Sequence, residues 1–558
     1  MPAPKFEDLA RVEAELLAPG APFELEWADV LGERMQVFKR RPRSLGALLA
    51  GARGFGAAEA LVFTGAAGPG PRLSFDELLA RVASVAAALR ARGIDRGDRV
   101  AILAANCPEW IVAFWATVSL GAVAVGLNAW WAGPEIAHAL ADADPKLLIC
   151  DVRRAERLDT ASARVPTIII ERDFSPLWRA RGEALPAVDA AEDDPAVILY
   201  TRGTTGRSKG ALQSHRNVLA LVGCNFFHGT RMRLAAPPPA DAPPPSVLVT
   251  SPLFHVSGLH NAAVICLAGG IRSIWLTGRF DAAHALATIE AERVTSWGYT
   301  QTLLHRLIEH PDVATRDLSS LRQLGGGGSP IPPALQSRAR AALPGARTTM
   351  GVGYGQTECA SLATLNPGDE LCAFPRSVGR PLPTVALEIR DPDGRPVPDG
   401  VTGEVTIRSP LVMLEYWRNP AATADVLGPG RWLRTGDLGT LEGGRLTLTS
   451  RSRDLIIRGG ENIYPAEIEQ RLSEHPDVAE SAVIGVAHES LGQEVKAVVV
   501  ARQGKQLDLA ALAEFVRAGL ADFKVPAHWE LRTTPLPRNA VGKILKHALD
   551  GDGTVIPD

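Results

Sequence analysis

Cysteine is scarce: the 558-residue chain holds 6. So few in so long a chain cannot form a disulfide framework. Cys107, Cys150, Cys224, Cys266, Cys359 and Cys372 make no CxxC pair and follow no zinc-ligand spacing. They are expected as reduced, mostly buried thiols that pack as small hydrophobes. Surplus positive charge is also missing. Lys+Arg is 59 against Asp+Glu 62, a net charge of −3, which removes the electrostatic footprint of a nucleic-acid binder. Pro 42 and Gly 53 imply many turns, but no collagen period, disordered composition or internal repeat accompanies them. The opening MPAPKFEDLARVEAELL carries charges where a signal peptide needs an apolar core. The ending VIPD matches no targeting address. These absences point to a cytoplasmic enzyme or binding protein.

One long uncharged run, Trp110 to Gly133, has the length of a membrane span. Gly121 divides it into an apolar helix (Trp110 to Leu120) and a short buried strand (Ala122 to Leu127), so no integral span is expected. From about Leu45, helices alternate with short apolar strands. Phe75 to Arg92 is amphipathic at helical spacing, with Gly93 where a C-cap belongs. Arg99 to Ala104, Lys146 to Val152 and Thr167 to Glu171 read as strands. This βα alternation predicts parallel sheets covered by helices. The basic run Lys39, Arg40, Arg41 and Arg43 reads as a solvated face. Pro237 to Pro245 must be a surface loop. Arg431 to Thr449 reads as β-hairpins with a Gly443–Gly444 turn. The texture then changes. A boundary at Arg453–Asp454 separates a large N-terminal domain over 1–452 from a small one over 453–558. The latter has strands at Ala482 to Val486 and Val495 to Val500 and helices at Pro465 to Ser473 and Leu509 to Leu520.

The most informative segment is Leu199 to Gly210, LYTRGTTGRSKG. An apolar strand runs into a loop of glycines, hydroxyls and a lysine, the groups that phosphate oxygens require. The spacing is not that of a Walker A loop, so a P-loop NTPase is not expected. Further on come Tyr354-Gly355-Gln356-Thr357-Glu358, Thr435-Gly436-Asp437, the run Ser450 to Ile456, Arg458 to Pro465 and Pro537 to Ile544.

In this order and at these separations the set resembles the adenylate-forming (ANL) superfamily: acyl-CoA synthetases, adenylation domains of nonribosomal peptide synthetases, and luciferases. The resemblance runs from about Leu45 to Lys546. It implies an α/β fold: a large N-terminal domain of stacked sheets with helices, a β-rich subdomain, and a small mobile C-terminal α+β domain. It also implies a two-step reaction. A carboxylate attacks the α-phosphate of ATP to give acyl-AMP and pyrophosphate; a thiol then takes the acyl group and releases AMP. By the same resemblance Thr201, Arg202, Gly203, Thr204, Thr205, Gly206 and Lys209 cradle the phosphates. Tyr354, Gly355 and Gln356 border the adenine, with Gly327, Gly328 and Ser329 along adenine and acyl group. Thr357 meets the α-phosphate, Glu358 holds Mg²⁺, and Asp437 and Arg451 meet the ribose. His255 lies near the carboxylate and thiol tunnel, Gly459 and Gly460 form a loop on the alternate face of the mobile domain, Arg453 is the hinge, and Lys543 drives adenylation. Two positions depart from the family pattern: Arg202 replaces a serine and Ser208 a proline.

No carrier-protein domain is visible after Lys546, and the hinge is followed by no insertion of the acyl-AMP ligase type. The resemblance therefore implies a CoA ligase with ATP, Mg²⁺ and CoA as cofactors and a small carboxylic acid as substrate. An acyl-AMP ligase, a stand-alone adenylation enzyme feeding a carrier protein, and a non-catalytic homologue are the alternatives. Only Arg202 supports the last, against the retained Glu358, Asp437, Arg451 and Lys543. The candidate acyl pocket gathers His255, Ser257, Asn261, Trp297 to Thr300, Gly325, Gly326 and Gly351 to Gly353. It has no fixed charge for an ammonium group, which disfavours amino acids. A fatty acid is the first expectation; an alicyclic or aromatic acid fits too, with Trp297 and Tyr299 placed to stack on a ring. The oligomeric state, including a homodimer, is open.

Overall fold

The computed structural model describes residues 6–65, 68–179, 184–202, 208–328, 331–346, 349–451, 454–458, 461–539, 542–549 and 554–555. Two large sheets organise the N-terminal part, one of seven strands and one of nine. In the seven-stranded sheet, Arg99–Leu103 lies between Val123–Gly126 and Leu147–Cys150, all parallel. Period-two alternation assigns each strand residue to a layer. Val100 and Ile102 face the core between the two sheets, whereas Ala101 and Leu103 face the outer layer with helix Gly133–Ala143. Burial on both faces is why these strands read as continuous apolar runs.

The inter-sheet layer is filled by helices. Phe75–Ala91, Pro108–Ser119 and His215–Ala235 share one core with strands of both sheets. Ser74 caps the first of these in a reciprocal capping box with Glu77. The uncharged Trp110 to Gly133 run resolves as anticipated: the helix ends at Ser119, Gly121 adopts φ +72°, and the strand Val123–Gly126 follows. Among the described residues no helix is long and apolar enough to cross a membrane.

Several expectations need correction. The basic run near the N-terminus is a solvated face at Lys39, Arg40 and Arg43, which are exposed, but not at Arg41. Arg41 is mostly buried; its guanidinium donates to Glu26, to Glu192 and to the Phe38 carbonyl. Glu192 is itself buried and also pairs with Arg43 and Arg216. A cluster of opposite charges pins the N-terminal segment to the main body where the composition suggested solvent. The strand expected over Thr167 to Glu171 stops at Ile169 and gives way to a π-helical turn, Ile170–Phe174. Gly325 and Gly326 lie inside the strand Gln323–Gly326. Of the cysteines, Cys150, Cys224, Cys266 and Cys359 are buried, Cys107 is partly so and Cys372 is exposed.

A four-stranded antiparallel sheet includes the hairpin Leu433–Glu442 and Arg445–Arg451. Its turn residues Gly443 and Gly444 both take positive φ, as a tight hairpin turn needs. From Ile456 onward a six-stranded sheet carries its own core, with Trp529 fully buried among Ile468, Leu472, Val495 and Val516. Its long hairpin pairs Val478–His488 with Gly492–Ala501, and helix Pro465–Ser473 runs as expected.

Candidate active site

A cleft of about 2820 Å³ is bordered by both large sheets, the four-stranded sheet and the C-terminal part. Thr201, His255, Tyr354, Thr357, Glu358, Asp437 and Lys543 all line it. Residues far apart in sequence thus converge on one space.

Tyr354 ends the strand Met350–Tyr354 and is 7% exposed. Its hydroxyl donates to Asp437 Oδ2 at 2.8 Å. Burial pushes the phenol well above its ordinary pKa, and the neighbouring Asp437 charge adds to this. Asp437 is 5% exposed and follows Gly436, which adopts φ +69°. Its backbone is held by the Thr435 hydroxyl, and across the hairpin it is in register with Arg451. The residues expected at adenine and ribose are therefore in direct contact.

Gly355 must be glycine, because a Cβ there would lie 2.1 Å from the Ser361 carbonyl oxygen. Gln356 then leads extended into a 3₁₀ turn, Thr357–Cys359. Thr357 is buried, and its carbonyl accepts from Gln213 Nε2 at 2.6 Å. Glu358 Oε1 accepts the Tyr416 hydroxyl at 2.7 Å. Sequence reasoning missed Tyr416. It lies in Glu415-Tyr416-Trp417, which carries no chemical spacing, and only its antiparallel pairing with Ala211 brings it here.

Thr201 and Lys209 are register partners on the antiparallel strands Pro195–Arg202 and Ser208–Ser214. Lys209 Nζ sits 5.0 Å from the Tyr416 ring centroid, within cation–π range. Gly203, Thr204, Thr205 and Gly206, expected to cradle phosphates, lie outside the described residues, as do Ser329, the hinge Arg453, Gly459 and Gly460. Arg202 and Arg451 are placed by their backbones alone, at strand ends.

His255 caps the short helix Val256–Gly258, its Nδ1 accepting from the Ser257 amide at 3.2 Å. The neutral ring therefore carries its proton on Nε2. Burial drives its pKa down to about 4, so the ring is uncharged near neutrality. His260, fully buried nearby, also sits at about 4 for the same reason.

The acyl pocket differs from expectation in one respect. Trp297 is 1% exposed, stacked on Phe280 with its indole N–H donated to Thr250, and Tyr299 is buried beside it. Both rings are committed to core packing, although both still border the cleft. The alternate residues face the opposite way. Gly298 and Gly325 are paired on adjacent parallel strands, and a Cβ on either would meet nothing within 4 Å. Gly351 continues the row on the next strand. The result is a floor without side chains. Beyond it the Gly327 amide donates to the Tyr299 carbonyl, and Gly328 turns the chain with φ +75°.

Lys543 is presented by a tight loop. Its amide donates to Asn539 Oδ1 at 2.8 Å, and its carbonyl accepts the Asn539 amide at 2.9 Å. The preceding Gly542, at φ +83°, offers its carbonyl to Arg538 and to Thr302. Thr302 belongs to helix Gln301–Ile308, which follows the strand carrying Gly298. The Lys543 loop is thus docked at the edge of the acyl floor.

The AMP-binding enzyme family matches residues 49–417, and the AMP-binding enzyme C-terminal domain matches 467–543. The chain is 37% identical over 489 residues to a feruloyl-CoA synthase of Amycolatopsis sp, covering 86% of this chain and 93% of the relative. It is 36% identical over 487 residues to an indoleacetate–CoA ligase of Aromatoleum aromaticum, covering 85% and 92%. Among solved structures, ATP-bound MatB from Rhodopseudomonas palustris superposes with a TM-score of 0.80 at 31% identity, over 91% of this chain and 98% of that one. The chain belongs to the AMP-binding enzyme family and, within the adenylate-forming superfamily, is an AMP-forming acid–thiol ligase of the acyl-CoA synthetase branch.

Proposed function

We propose that the protein is an ATP-dependent ligase joining a bulky apolar carboxylic acid to CoA. The observation that carries this reading is one cleft holding both the Tyr354–Asp437 pair and the side-chain-free floor, with the Lys543 loop docked at the floor's edge. A ring-bearing acid suits a flat floor best, because a planar group gains contact over its whole face. The relatives named for feruloyl and indoleacetate support the same class. An extended fatty chain is the second occupant the floor admits.

In the first step the carboxylate oxygen bonds to the α-phosphorus of ATP and pyrophosphate leaves. In the second the CoA sulfur bonds to the acyl carbon and AMP leaves. Positioning and electrostatics suffice for such a transfer. Tyr354 stacks on adenine and orients Asp437 toward the ribose hydroxyls, with Arg451 assisting. Thr201, Lys209 and Thr357 meet the phosphates. Lys543 neutralises charge on the α-phosphate and carboxylate, and neutral His255 offers its Nε2–H beside the acyl carboxyl. Glu358 would hold Mg²⁺. The fit is chemical: one hard carboxylate plus phosphate oxygens is how Mg²⁺ is commonly bound, and among the described residues no cluster of three or more His, Cys, Asp or Glu competes for it. When bound, the ion supplies charge neutralisation to the phosphates. The small domain, divided from the large one at Arg453, carries Lys543 in and out of the site.

The test is mass spectrometry of acyl-AMP and acyl-CoA after incubation with Mg·ATP, CoA and a panel of aromatic, alicyclic, fatty and amino acids. Acyl-CoA formed from ring-bearing acids is the expected result. Acyl-AMP without acyl-CoA would show a different acceptor, such as a carrier protein; a preference for alkyl chains would select the fatty-acid occupant.

A further inference from the structure

Tyr416 meets two functional elements at once. Its hydroxyl donates to Glu358 Oε1 at 2.7 Å, while its ring lies 5.0 Å from Lys209 Nζ. The side chain is nearly buried, at 6% exposure. The backbone around it is tied to both elements as well. The Trp417 amide donates to the Gly210 carbonyl at 2.7 Å, and the Met413 amide donates to the Glu358 carbonyl at 2.9 Å. Tyr416's own amide donates to the Thr423 hydroxyl at 2.9 Å, fixing the strand residue from the far side. The segment 413–417 therefore bridges the turn that carries Glu358 and the strand that carries Lys209.

We propose that Tyr416 is a positioning residue for adenylation: its hydroxyl aims the Glu358 carboxylate at the cation and its ring seats the Lys209 ammonium beside the nucleotide phosphates. This inference rests on the reading of Glu358 and Lys209 given above. A carboxylate held through Oε1 cannot rotate freely, so its orientation toward a cation would be set before the cation binds. Hydrogen-bonded partners of metal-ligating carboxylates typically contribute about 10–100-fold to metal affinity. The ring adds a seat for a positive charge that costs no opposite charge; a carboxylate there would neutralise the lysine and compete with phosphate.

The test is calorimetric titration with α,β-methylene-ATP, in excess Mg²⁺ and again in EDTA, on wild type, Tyr416→Phe, Tyr416→Leu and Glu358→Gln. Wild type should bind the analogue more tightly with Mg²⁺. Tyr416→Phe keeps the ring and should lose about tenfold of that Mg²⁺-dependent gain with binding in EDTA unchanged. Tyr416→Leu should weaken binding in EDTA also, since the seat beneath Lys209 is gone. Thermal midpoints report folding, and the phenylalanine variant should stay near wild type. A full Mg²⁺ gain in Tyr416→Phe, or equal weakening with and without Mg²⁺, would overturn the proposal. If Glu358→Gln retains the whole gain, the underlying assignment of Glu358 is wrong and the role of Tyr416 falls with it.

Discussion

The Tyr354 hydroxyl and the Asp437 carboxylate meet at 2.8 Å although 83 positions separate them in the chain. The contact ties the last residue of a nine-stranded-sheet strand to the four-stranded sheet, and it links the aromatic face proposed for adenine to the carboxylate proposed for ribose. A nucleotide seated on one is thereby aligned with the other.

Tyr354→Phe should raise the KM for ATP about tenfold. A hydrogen bond to a charged group is worth about 1.5–3 kcal/mol, and its loss leaves a buried carboxylate short of a donor. The ring remains, so adenine stacking persists. ATP-dependence of acyl-AMP formation measures this; an unchanged KM would separate Asp437 from nucleotide binding.

Lys543→Ala should slow acyl-AMP formation by about 100-fold or more, the scale on which removing one preorganised donor from a developing charge acts. Conversion of supplied acyl-AMP to acyl-CoA should persist. Single-turnover assays of the two half-reactions give the comparison. Equal loss in both would mean that the lysine loop serves docking instead of charge stabilisation.

Part of this candidate cleft was legible in the sequence, for a physical reason. The residues proposed for phosphate, ribose and adenine come from short contiguous turns, such as Tyr354 to Glu358, where composition and chemistry coincide, and the structure lines one cleft with several of them. The βα alternation was also legible, because buried parallel strands are locally apolar. What was hidden depends on pairing between distant segments. Tyr416 reaches Glu358 only through the pairing with Ala211. The directions of Trp297 and Tyr299 depend on which face of the sheet covers the core, and a strand with large residues at alternate positions does not reveal that. Arg41 was misread since its partner Glu192 lies 151 positions away.

Gly298→Leu or Gly325→Leu should reduce kcat/KM for ring-bearing acids at least tenfold and spare acetate. A Cβ at either glycine meets nothing within 4 Å, so the substitution fills pocket space and leaves the packed core alone. Thermal midpoints should move little. A discriminating assay compares a ring-bearing acid with acetate in each variant; parallel losses would place the acyl group elsewhere.

Stability should fall as pH drops from about 6.5 toward 4. Burial holds His215 and His260 near about 4, below the 6.5 of the free imidazole. Between those values the unfolded chain binds protons that the native state refuses, so unfolding is favoured increasingly with acid. Above 6.5 neither state is protonated and the effect vanishes. Urea midpoints at pH 7, 6 and 5 should decline in that order. A flat profile would mean that these imidazoles gain protons without cost.

Arg202→Ser should raise the turnover of the adenylation step. The family pattern places a small hydroxyl at this position, beside the strand end that leads into the phosphate loop. A long cation there would slow the enzyme in one of two ways. Crowding displaces the phosphates from the in-line geometry that adenylation needs. Extra positive charge holds pyrophosphate after the α-phosphate bond breaks, delaying its release. Serine relieves either constraint, and product inhibition tells them apart. If crowding dominates, the substitution raises single-turnover acyl-AMP formation and leaves pyrophosphate inhibition unchanged. If retention dominates, the single-turnover rate stays level, steady-state turnover rises and more pyrophosphate is needed to inhibit. A slower variant by both measures would show that Arg202 assists the reaction, as a guanidinium bridging the β- and γ-phosphates would.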